Sequence, residues 1–253
     1  MAITIDLSEK VALITGASQG IGAQMARTFH AAGAMVVLNH PDLGTTRADA
    51  ERLAAELNAL RPDSADVLAA DVADADAVRA MMQAVKARRG GLDFLINNAA
   101  ILRDRTLSKM SPDEWQAVLD VNLTGVFHCC KFGLEVMRDG GAIVSMGSIA
   151  AIQGFFGQAN YAAAKAGVQA MMRVLARECA RRGIRANAIA PGVIDTTMAA
   201  TIPEAARAEM LKNIPLARLG TPEEVAHVAL FLCSPLASYV SGQTIEVNGG
   251  WRG

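Results

Sequence analysis

The sequence has few aromatic residues and no excess of charge of either sign. Aromatic side chains make up only 4% of the 253 residues, and the formal net charge is −1. A charge balance this close to neutral gives no indication of binding to nucleic acid or to an anionic membrane surface. No apolar run approaches the ~20 residues that a membrane span needs. The sequence therefore predicts neither a nucleic-acid-binding protein nor a membrane protein.

Cysteine and histidine are equally sparse, with four of each in the chain. The cysteines form no C-x-x-C pair and no disulfide framework, which fits a reducing cytoplasm. The histidines share no metal-ligand spacing, so no metal site is predicted. Residues 1–10 lack the basic stretch followed by an apolar one that a secretory signal has. The predicted location is therefore the cytoplasm.

Hydrophobic residues, by contrast, make up 52% of the chain, enough to bury the core of one α/β domain over residues 1–253. Short apolar runs alternate with helical patterns, which predicts a parallel sheet with helices on both faces. Strands are predicted at residues 11–14, 35–38, 67–69, 94–96, 142–145, 186–189 and 244–247. Helices are predicted at residues 21–32, 45–60, 75–86, 112–119, 124–136, 161–182 and 222–232.

Ser148, Tyr161 and Lys165 have the spacing of an acid–base site. Tyr161 and Lys165 stand four apart in an Ala-rich segment, so a helix places both on one face. A nearby ammonium favours the phenolate and lowers the pKa of a tyrosine from its usual value near ~10. Ser148 follows the apolar run at 142–146, which predicts a hydroxyl at a strand end. Taken alone, an ordinary helix with a half-buried tyrosine and a solvated lysine is the better interpretation, because this spacing is common by chance.

A glycine-rich turn far away in the sequence changes that interpretation. The apolar run at 11–14 is followed by Gly16, Gly20 and Gly22, and then by a helical pattern that stops at Gly33. Glycine allows backbone N–H groups to approach a pyrophosphate at a helix N-terminus. The spacing is not G-x-G-x-x-G, and such turns also serve other nucleotide and methyl-donor folds. Combined with the serine, tyrosine and lysine, however, the turn indicates a dinucleotide-dependent enzyme.

Seven motifs in the chain occur in the same order in one enzyme family. They are Thr15-Gly16-x-x-x-Gly20-x-Gly22, Asp71, Asn97-Asn98-Ala99, Asn122, Ser148, Tyr161-x-x-x-Lys165 and Pro191-Gly192. The chain thus resembles the short-chain dehydrogenases/reductases over its whole length. Residues 101–104, 160–167 and 247–250 are most similar to the 3-oxoacyl-thioester reductases of that family. The resemblance implies a single Rossmann-type doubly wound parallel sheet and a homotetramer or homodimer.

The resemblance also implies the catalytic roles. Tyr161 would protonate the substrate carbonyl in reduction, or take the proton in oxidation. Lys165 would lower the pKa of Tyr161 and bind the nicotinamide ribose, and Ser148 would hold the carbonyl oxygen. Asn122 would kink its helix and hold a water that relays protons to Lys165. From the residues alone, Asn122 is better interpreted as a cap or turn residue.

The cofactor contacts follow from the same resemblance. The glycine-rich turn should line the pyrophosphate, the residues after the third strand the adenine, and those after the sixth strand the nicotinamide. Asp71 has the alternative of a plain strand-end cap. The implied contacts are Gly16, Ser18, Gln19, Gly20, Ile21, Gly22, Asp71, Val72, Asn98, Tyr161, Lys165, Pro191, Gly192 and Ile194.

Cofactor preference depends on the end of the second strand, where NAD-preferring members usually carry an Asp. Here the expected position holds His40, so no carboxylate repels a 2′-phosphate. The Arg that many NADP enzymes carry in the glycine-rich turn is also missing, because position 19 is Gln. Asn39, His40 and Arg47 are the candidates to accept the phosphate. NADP(H) is therefore the predicted cofactor, and NAD(H) remains the alternative.

The predicted reaction is reduction of a ketone to a secondary alcohol, with a 3-oxoacyl thioester as the favoured substrate. One alternative is an NAD-dependent dehydrogenase of a secondary alcohol, sugar or polyol. Another, from a different class, is a catalytically idle cofactor-binding sensor. Residues 195–214 break the strand–helix alternation. The resemblance implies a lid over the substrate there, and a surface insertion without a role is the alternative.

Docking of an acidic carrier protein is in doubt from the sequence. Related reductases use basic residues outside the pocket for this purpose, and Arg182 matches one of those positions. At the other, this chain is about two residues shorter and offers Asp139, with Arg138 as the nearest substitute. A solvated basic patch around Arg181, Arg182 and Arg185 is an equally good interpretation.

Overall fold

Seven strands form one sheet in the computed structural model, which describes residues 4–196 and 204–251. They are β1 (Val11–Ile14), β2 (Met35–His40), β3 (Ala65–Ala69), β4 (Leu92–Asn97), β5 (Met137–Met146), β6 (Arg185–Pro191) and β7 (Thr244–Val247). All neighbouring strands are parallel, in the order β3-β2-β1-β4-β5-β6-β7. The strand order reverses between β1 and β4, which is where ligands bind in open α/β sheets. The predicted fold class is confirmed.

Helices cover both faces of the sheet. They are α1 (Gly20–Ala31), α2 (Thr46–Leu60), α3 (Ala75–Arg89), α4 (Pro112–Leu119), α5 (Gly125–Leu134), α6 (Ala150–Gln153), α7 (Ala159–Glu178), α8 (Glu204–Lys212) and α9 (Pro222–Cys233). One apolar cluster packs α1, α2 and α9 against one face. A second packs α3, α5 and α7 against the other. Burial on both faces explains why the strands are continuous apolar runs.

Two helix starts follow directly from the sequence. At α4, the side chain of Ser111 accepts a hydrogen bond from the backbone of Glu114, whose side chain bonds the backbone of Ser111 in return. The same reciprocal capping box joins Thr221 and Glu224 at α9. Proline follows the cap in both helices, where its missing N–H costs nothing.

Several elements differ from the prediction: β2 extends to His40, α6 was not predicted, and three further differences are larger. β5 begins at Met137, five residues earlier than predicted, because this end pairs with β4 across a register shift. The predicted helix at 161–182 ends at Glu178 and continues as a 3₁₀ turn, Ala180–Arg182. A π-helical turn, Asp120–Thr124, joins α4 to α5. Part of the predicted lid, residues 197–203, lies outside the described residues.

Candidate active site

A cleft of about 940 Å³ opens at the carboxyl ends of the strands. Residues that follow β1, β2, β3, β4, β5 and β6 all contribute to its wall, as expected for a parallel sheet. The predicted site residues in this wall are Gly16, Ser18, Gln19, Gly20, Ile21, Asn39, Asp71, Val72, Asn98, Ser148, Tyr161, Lys165, Pro191, Gly192 and Ile194. Three predicted site residues, Gly22, His40 and Asn122, are not part of the wall.

The glycine-rich turn leads into α1, and the side chain of the N-cap residue Gln19 does not cap the start of this helix. Gly16 has a φ of +62°, a left-handed conformation that glycine adopts without strain. A Cβ on Gly22 would lie 2.4 Å from the carbonyl oxygen of Gly16, so only glycine fits there. The first turn of the helix carries no acidic residue. The N-terminus of α1 can therefore receive a phosphate group.

Side-chain hydrogen bonds hold this turn in place, and they come from Thr15, Asn98 and Asn39. The hydroxyl oxygen of Thr15 accepts hydrogen bonds from the backbone N–H groups of Asn98 (2.9 Å) and Ala99 (3.0 Å). The Asn98 amide donates to the carbonyl oxygens of Thr15 (2.9 Å) and Gly16 (3.1 Å). The Asn39 amide accepts from Gly16 N (3.3 Å) and donates to the carbonyl oxygen of Ala70 (3.0 Å). The role of Thr15 was missed, although it is part of the motif.

His40 does not occupy the position predicted for it. It is the last residue of β2, and side chains alternate along a strand, so Asn39 lies in the cleft wall and His40 does not. The imidazole is buried, and its Nδ1 accepts a hydrogen bond from the N–H of Asp42 (3.0 Å). Burial lowers the pKa of His40, which favours a neutral ring. The structure therefore gives no support to contact between His40 and a 2′-phosphate.

Tyr161 and Lys165 lie one turn apart on α7, with Ser148 at the end of β5. The Lys165 ammonium is fully buried and lies 5.5 Å from the centroid of the Tyr161 ring. It donates a hydrogen bond to the carbonyl oxygen of Met146 (2.8 Å). The hydroxyl of Ser148 hydrogen-bonds the Tyr161 phenol and also accepts from Ala150 N (3.0 Å). The structure thus brings together the three residues that the sequence singled out.

The direction of the Tyr161 pKa differs from the prediction. Burial raises it to about 12 and outweighs the hydrogen bond from Ser148, which lowers it, while the charge of Asp104 raises it further. Burial also lowers the pKa of Lys165, to about 8. From the sequence, a lower pKa is expected because only the attraction between the ammonium and the phenolate can be foreseen. In the structure, loss of solvation dominates for both groups.

Asn122 lies in the π-helical turn between α4 and α5 and is fully buried. Its side chain accepts a hydrogen bond from Ile101 N and donates one to Ile101 O, both at 2.9 Å. A distorted helix at this residue agrees with the kink that the resemblance implies, and π-turns occur often at functional sites. Its amide groups bond the backbone of a segment that borders the cleft. A proton-relaying water at Asn122 stays a prediction.

The basic residues considered for carrier docking make contacts within the chain. Arg182 donates to Asp139 (2.8 Å) and to the carbonyl oxygens of Leu134 and Met137. Arg138 donates to Asp93 (2.5 Å). These guanidinium groups stabilise the end of the sheet at which β5 begins. An acidic partner would therefore meet guanidinium groups that already bond carboxylates of this chain.

The described parts of the chain, 4–196 and 204–251, contain no cluster of His, Cys, Asp or Glu arranged to hold a metal ion. Within the same residues, no helix combines the length and apolar character that crossing a membrane requires. The four cysteines, Cys129, Cys130, Cys179 and Cys233, are free and buried. Burial raises the pKa of their thiols, so they pack as small apolar groups.

Comparison with known proteins identifies the family of this chain. A family model described as enoyl-(acyl carrier protein) reductase matches residues 16–252. The 3-oxoacyl-[acyl-carrier-protein] reductase FabG of Staphylococcus aureus is 43% identical over 243 residues, covering 95% of this chain and 97% of that protein. The chain belongs to the short-chain dehydrogenase/reductase family, whose members are NAD(P)-dependent oxidoreductases.

Two solved structures show the same fold over nearly the whole chain. A short-chain dehydrogenase/reductase from Brucella melitensis, described as a glucose/ribitol dehydrogenase, has a TM-score of 0.93 and 36% identity, covering 99% of this chain and all of that one. A blue fluorescent protein from a metagenomic library, in complex with NADPH, has a TM-score of 0.93 and 33% identity, with 98% and 100% coverage.

The two pKa values predict how carbonyl reduction depends on pH. The catalytic roles that the resemblance implies need a proton on Tyr161 and a positive charge on Lys165. Both are present below pH about 8, and Lys165 loses its proton as the pH rises through its pKa of about 8. Tyr161 keeps its proton there because its pKa is about 12. We therefore expect kcat/KM for reduction, with reduced cofactor saturating, to fall above pH about 8.

Lys165→Arg is the control variant for this prediction, because a guanidinium stays charged through the pH range in which Lys165 loses its proton. Its residual activity should show no fall near pH 8. A wild-type kcat/KM that stays constant from about pH 7 to about pH 9.5 would contradict the assignment of Lys165.

Proposed function

We propose that this protein reduces the keto group of a 3-oxoacyl thioester to a secondary alcohol with NADP(H). The observation that carries the proposal is the Ser148–Tyr161–Lys165 arrangement in the wall of a cleft at the carboxyl ends of a parallel sheet. The named activity of the Staphylococcus aureus relative supports the substrate class. The intact set of groups argues against an idle cofactor-binding sensor.

The residues present fit a dinucleotide. Besides Gly22, a Cβ on Gly192 would lie 2.9 Å from the backbone of Asn248, so the wall there also needs glycine. The turn at Gly16–Gly22 would hold the pyrophosphate, Asp71 and Val72 the adenine, and Pro191, Gly192 and Ile194 the nicotinamide. When bound, the cofactor supplies the hydride, so the protein needs no nucleophile of its own.

The proton for the carbonyl oxygen comes from a side chain of the protein. Ser148 hydrogen-bonds the carbonyl oxygen and fixes its position beside the Tyr161 hydroxyl. Tyr161, protonated at neutral pH, gives its proton to that oxygen as negative charge develops there. The Lys165 ammonium then stabilises the phenolate left behind. In the reverse direction the phenolate takes the proton from the alcohol.

The wall near Tyr161 favours an acyl chain over a sugar. Ile101, Leu102, Phe155, Phe156 and Met210 all line the cleft. The Phe155 ring packs against Trp251 at a centroid distance of 5.3 Å, which holds this part of the wall. Polyol hydroxyls would lose hydrogen bonds to water against such side chains, and this costs binding free energy. The apolar wall therefore favours the thioester over the sugar or polyol alternative.

Tyr161→Phe tests the mechanism and the substrate together. Wild-type protein should reduce acetoacetyl-CoA and should leave a panel of sugars and polyols unoxidised. The variant keeps the packing of the ring and loses the proton, so its kcat should fall by roughly 10²–10⁴. Fluorescence titration with reduced cofactor should give the same Kd for both proteins.

Two results would contradict this proposal. One is a Tyr161→Phe variant that retains most of its kcat. The other is a wild-type protein that oxidises a polyol efficiently while acetoacetyl-CoA is not reduced, which would establish the alternative dehydrogenase function.

For cofactor preference we propose Arg47 in place of His40 as the contact for the 2′-phosphate. Pro41, Leu43 and Thr46, which neighbour Asp42 and Arg47 in sequence, lie in the cleft wall. Arg47 makes two hydrogen bonds to the Asp42 carboxylate, at 2.8 and 2.5 Å, and these lower the pKa of that carboxyl. A 2′-phosphate would compete with Asp42 for the guanidinium. The neighbour solved with NADPH supports this cofactor.

Binding of NADP⁺ and NAD⁺ measured by calorimetry tests this assignment. Arg47→Gln should weaken NADP⁺ about tenfold and leave NAD⁺ unchanged, which corresponds to about 1.4 kcal/mol. Asp42→Asn should strengthen NADP⁺ binding, because it frees the guanidinium. Arg52→Gln, which removes an exposed charge on the same helix, is the control. An equal loss of affinity for both cofactors, or none, would reject Arg47.

We also propose that the protein is a cytoplasmic homotetramer or homodimer. The buried free thiols fit a reducing compartment. Phe127 on α5 and Val174 on α7 are about half exposed, and such apolar side chains are typical of a contact between copies. Light scattering at micromolar concentration should show an assembled species. A particle of 26.5 kDa, the mass of one chain, would contradict this.

A further inference from the structure

Arg103 stands apart from the other arginines near the cleft. It lines the cleft and is exposed to solvent. Its guanidinium donates to the carbonyl oxygen of its neighbour Leu102 (2.9 Å), and it forms no ion pair with any carboxylate in residues 4–196 and 204–251. By contrast, Arg105 pairs with Glu114 (3.1 Å). The nearby Asp104 carboxylate accepts from Gln158 (2.8 Å). A positive charge is thus left available at the rim of the cleft.

The backbone of Arg103 is fixed relative to the catalytic tyrosine. Asn160 is fully buried, and its amide donates to the carbonyl oxygens of Arg103 (3.1 Å) and Glu114 (3.2 Å). Its amide oxygen accepts from the N–H of Tyr161 (2.8 Å). One buried side chain therefore joins the rim to the first turn of α7. Such a fixed position is what a recognition group needs.

Apolar side chains adjoin this charge. Leu102 and Phe156 line the cleft, and Phe156 is 91% exposed, which is unusual for a phenylalanine. The N–H of Arg105 donates to the carbonyl oxygen of Gly157 (2.8 Å), which holds the segment around Arg103 beside the loop that carries Phe156. The cleft mouth thus combines an exposed apolar surface with one unpaired cation. A ligand that fits it has an uncharged chain ending in an anion.

A 3-oxoacyl thioester has this chemistry. Its acyl group is joined through sulfur to a pantetheine arm, whose far end carries a phosphate in coenzyme A and in carrier proteins alike. We propose that Arg103 binds this phosphate and so selects thioesters over simple ketones. The inference rests on the proposed function. A guanidinium suits a phosphate because its N–H groups match the phosphate oxygens in pairs. Recognition then needs none of the arginines bonded within the chain, Arg138 and Arg182 among them.

Two substrates that differ by one phosphate test the proposal. They are the acetoacetyl thioesters of pantetheine and of 4′-phosphopantetheine. For Arg103→Gln, KM for the phosphorylated thioester should rise about tenfold at low salt, the change expected for one charge-assisted contact. KM for the pantetheine thioester should change less than about twofold. The difference should shrink as salt is added. Arg103→Lys keeps the charge and should keep part of the discrimination.

Lys109→Gln is the matched control, because Lys109 is exposed close by in sequence and lies outside the cleft wall. It should leave both KM values unchanged. Acetoacetyl-CoA and an acetoacetyl carrier protein both carry this phosphate, so Arg103→Gln should raise KM for both. The wild-type kcat/KM values for the two substrates show which of them supplies the phosphate.

An equal change in KM for the two thioesters, or no change for either, would overturn the role of Arg103. Wild-type protein that reduces neither thioester would instead overturn the proposed function. The two failures are distinguishable, because activity of wild-type protein on acetoacetyl-pantetheine does not depend on the phosphate.

Discussion

The burial of Lys165 is the constraint on which the catalytic geometry depends. An ammonium group removed from water is costly unless it is hydrogen-bonded, and its bond to the Met146 carbonyl oxygen meets that need. This bond fixes α7 against the end of β5. One turn further along the same helix face, Gln169 donates to the carbonyl oxygen of Ser148 (3.0 Å). Helix and strand end are thus held together at the two turns of α7 that follow Tyr161.

A second set of polar side chains fixes the glycine-rich turn in the same way. The side chains of Asn98 and Asn39 hydrogen-bond backbone groups at Thr15 and Gly16. The Thr15 hydroxyl accepts a hydrogen bond from the backbone N–H of Asn98, at the start of the loop after β4. The cleft wall is therefore built from strand ends joined by short polar side chains. Because these bonds are satisfied within the protein, the donors at the start of α1, which the Gln19 side chain does not cap, are the ones available to a ligand.

Features that depend on residues close together in the sequence could be predicted from it. The capping boxes at Ser111 and Thr221, the seven apolar strands and the Tyr161–Lys165 spacing each depend on neighbours a few residues away. Features set by tertiary surroundings could not. His40 faces away from the cleft because β2 extends to it, and the Tyr161 pKa rises because burial outweighs the hydrogen bond from Ser148. The bond between Arg182 and Asp139 joins residues 43 positions apart, beyond any local pattern.

Burial keeps Tyr161 protonated at neutral pH, which lets it act as the proton donor in the proposed reaction. The chain has only two tyrosines, and Tyr239 is fully exposed, so each can be followed separately. NMR titration of protein labelled with ¹³C at tyrosine Cζ measures both pKa values directly, with Tyr161→Phe to assign the signals. The Tyr161 signal should titrate near pH 12, well above the pKa of an unperturbed phenol. A Tyr161 signal that titrates at or below ~10 would contradict this expectation.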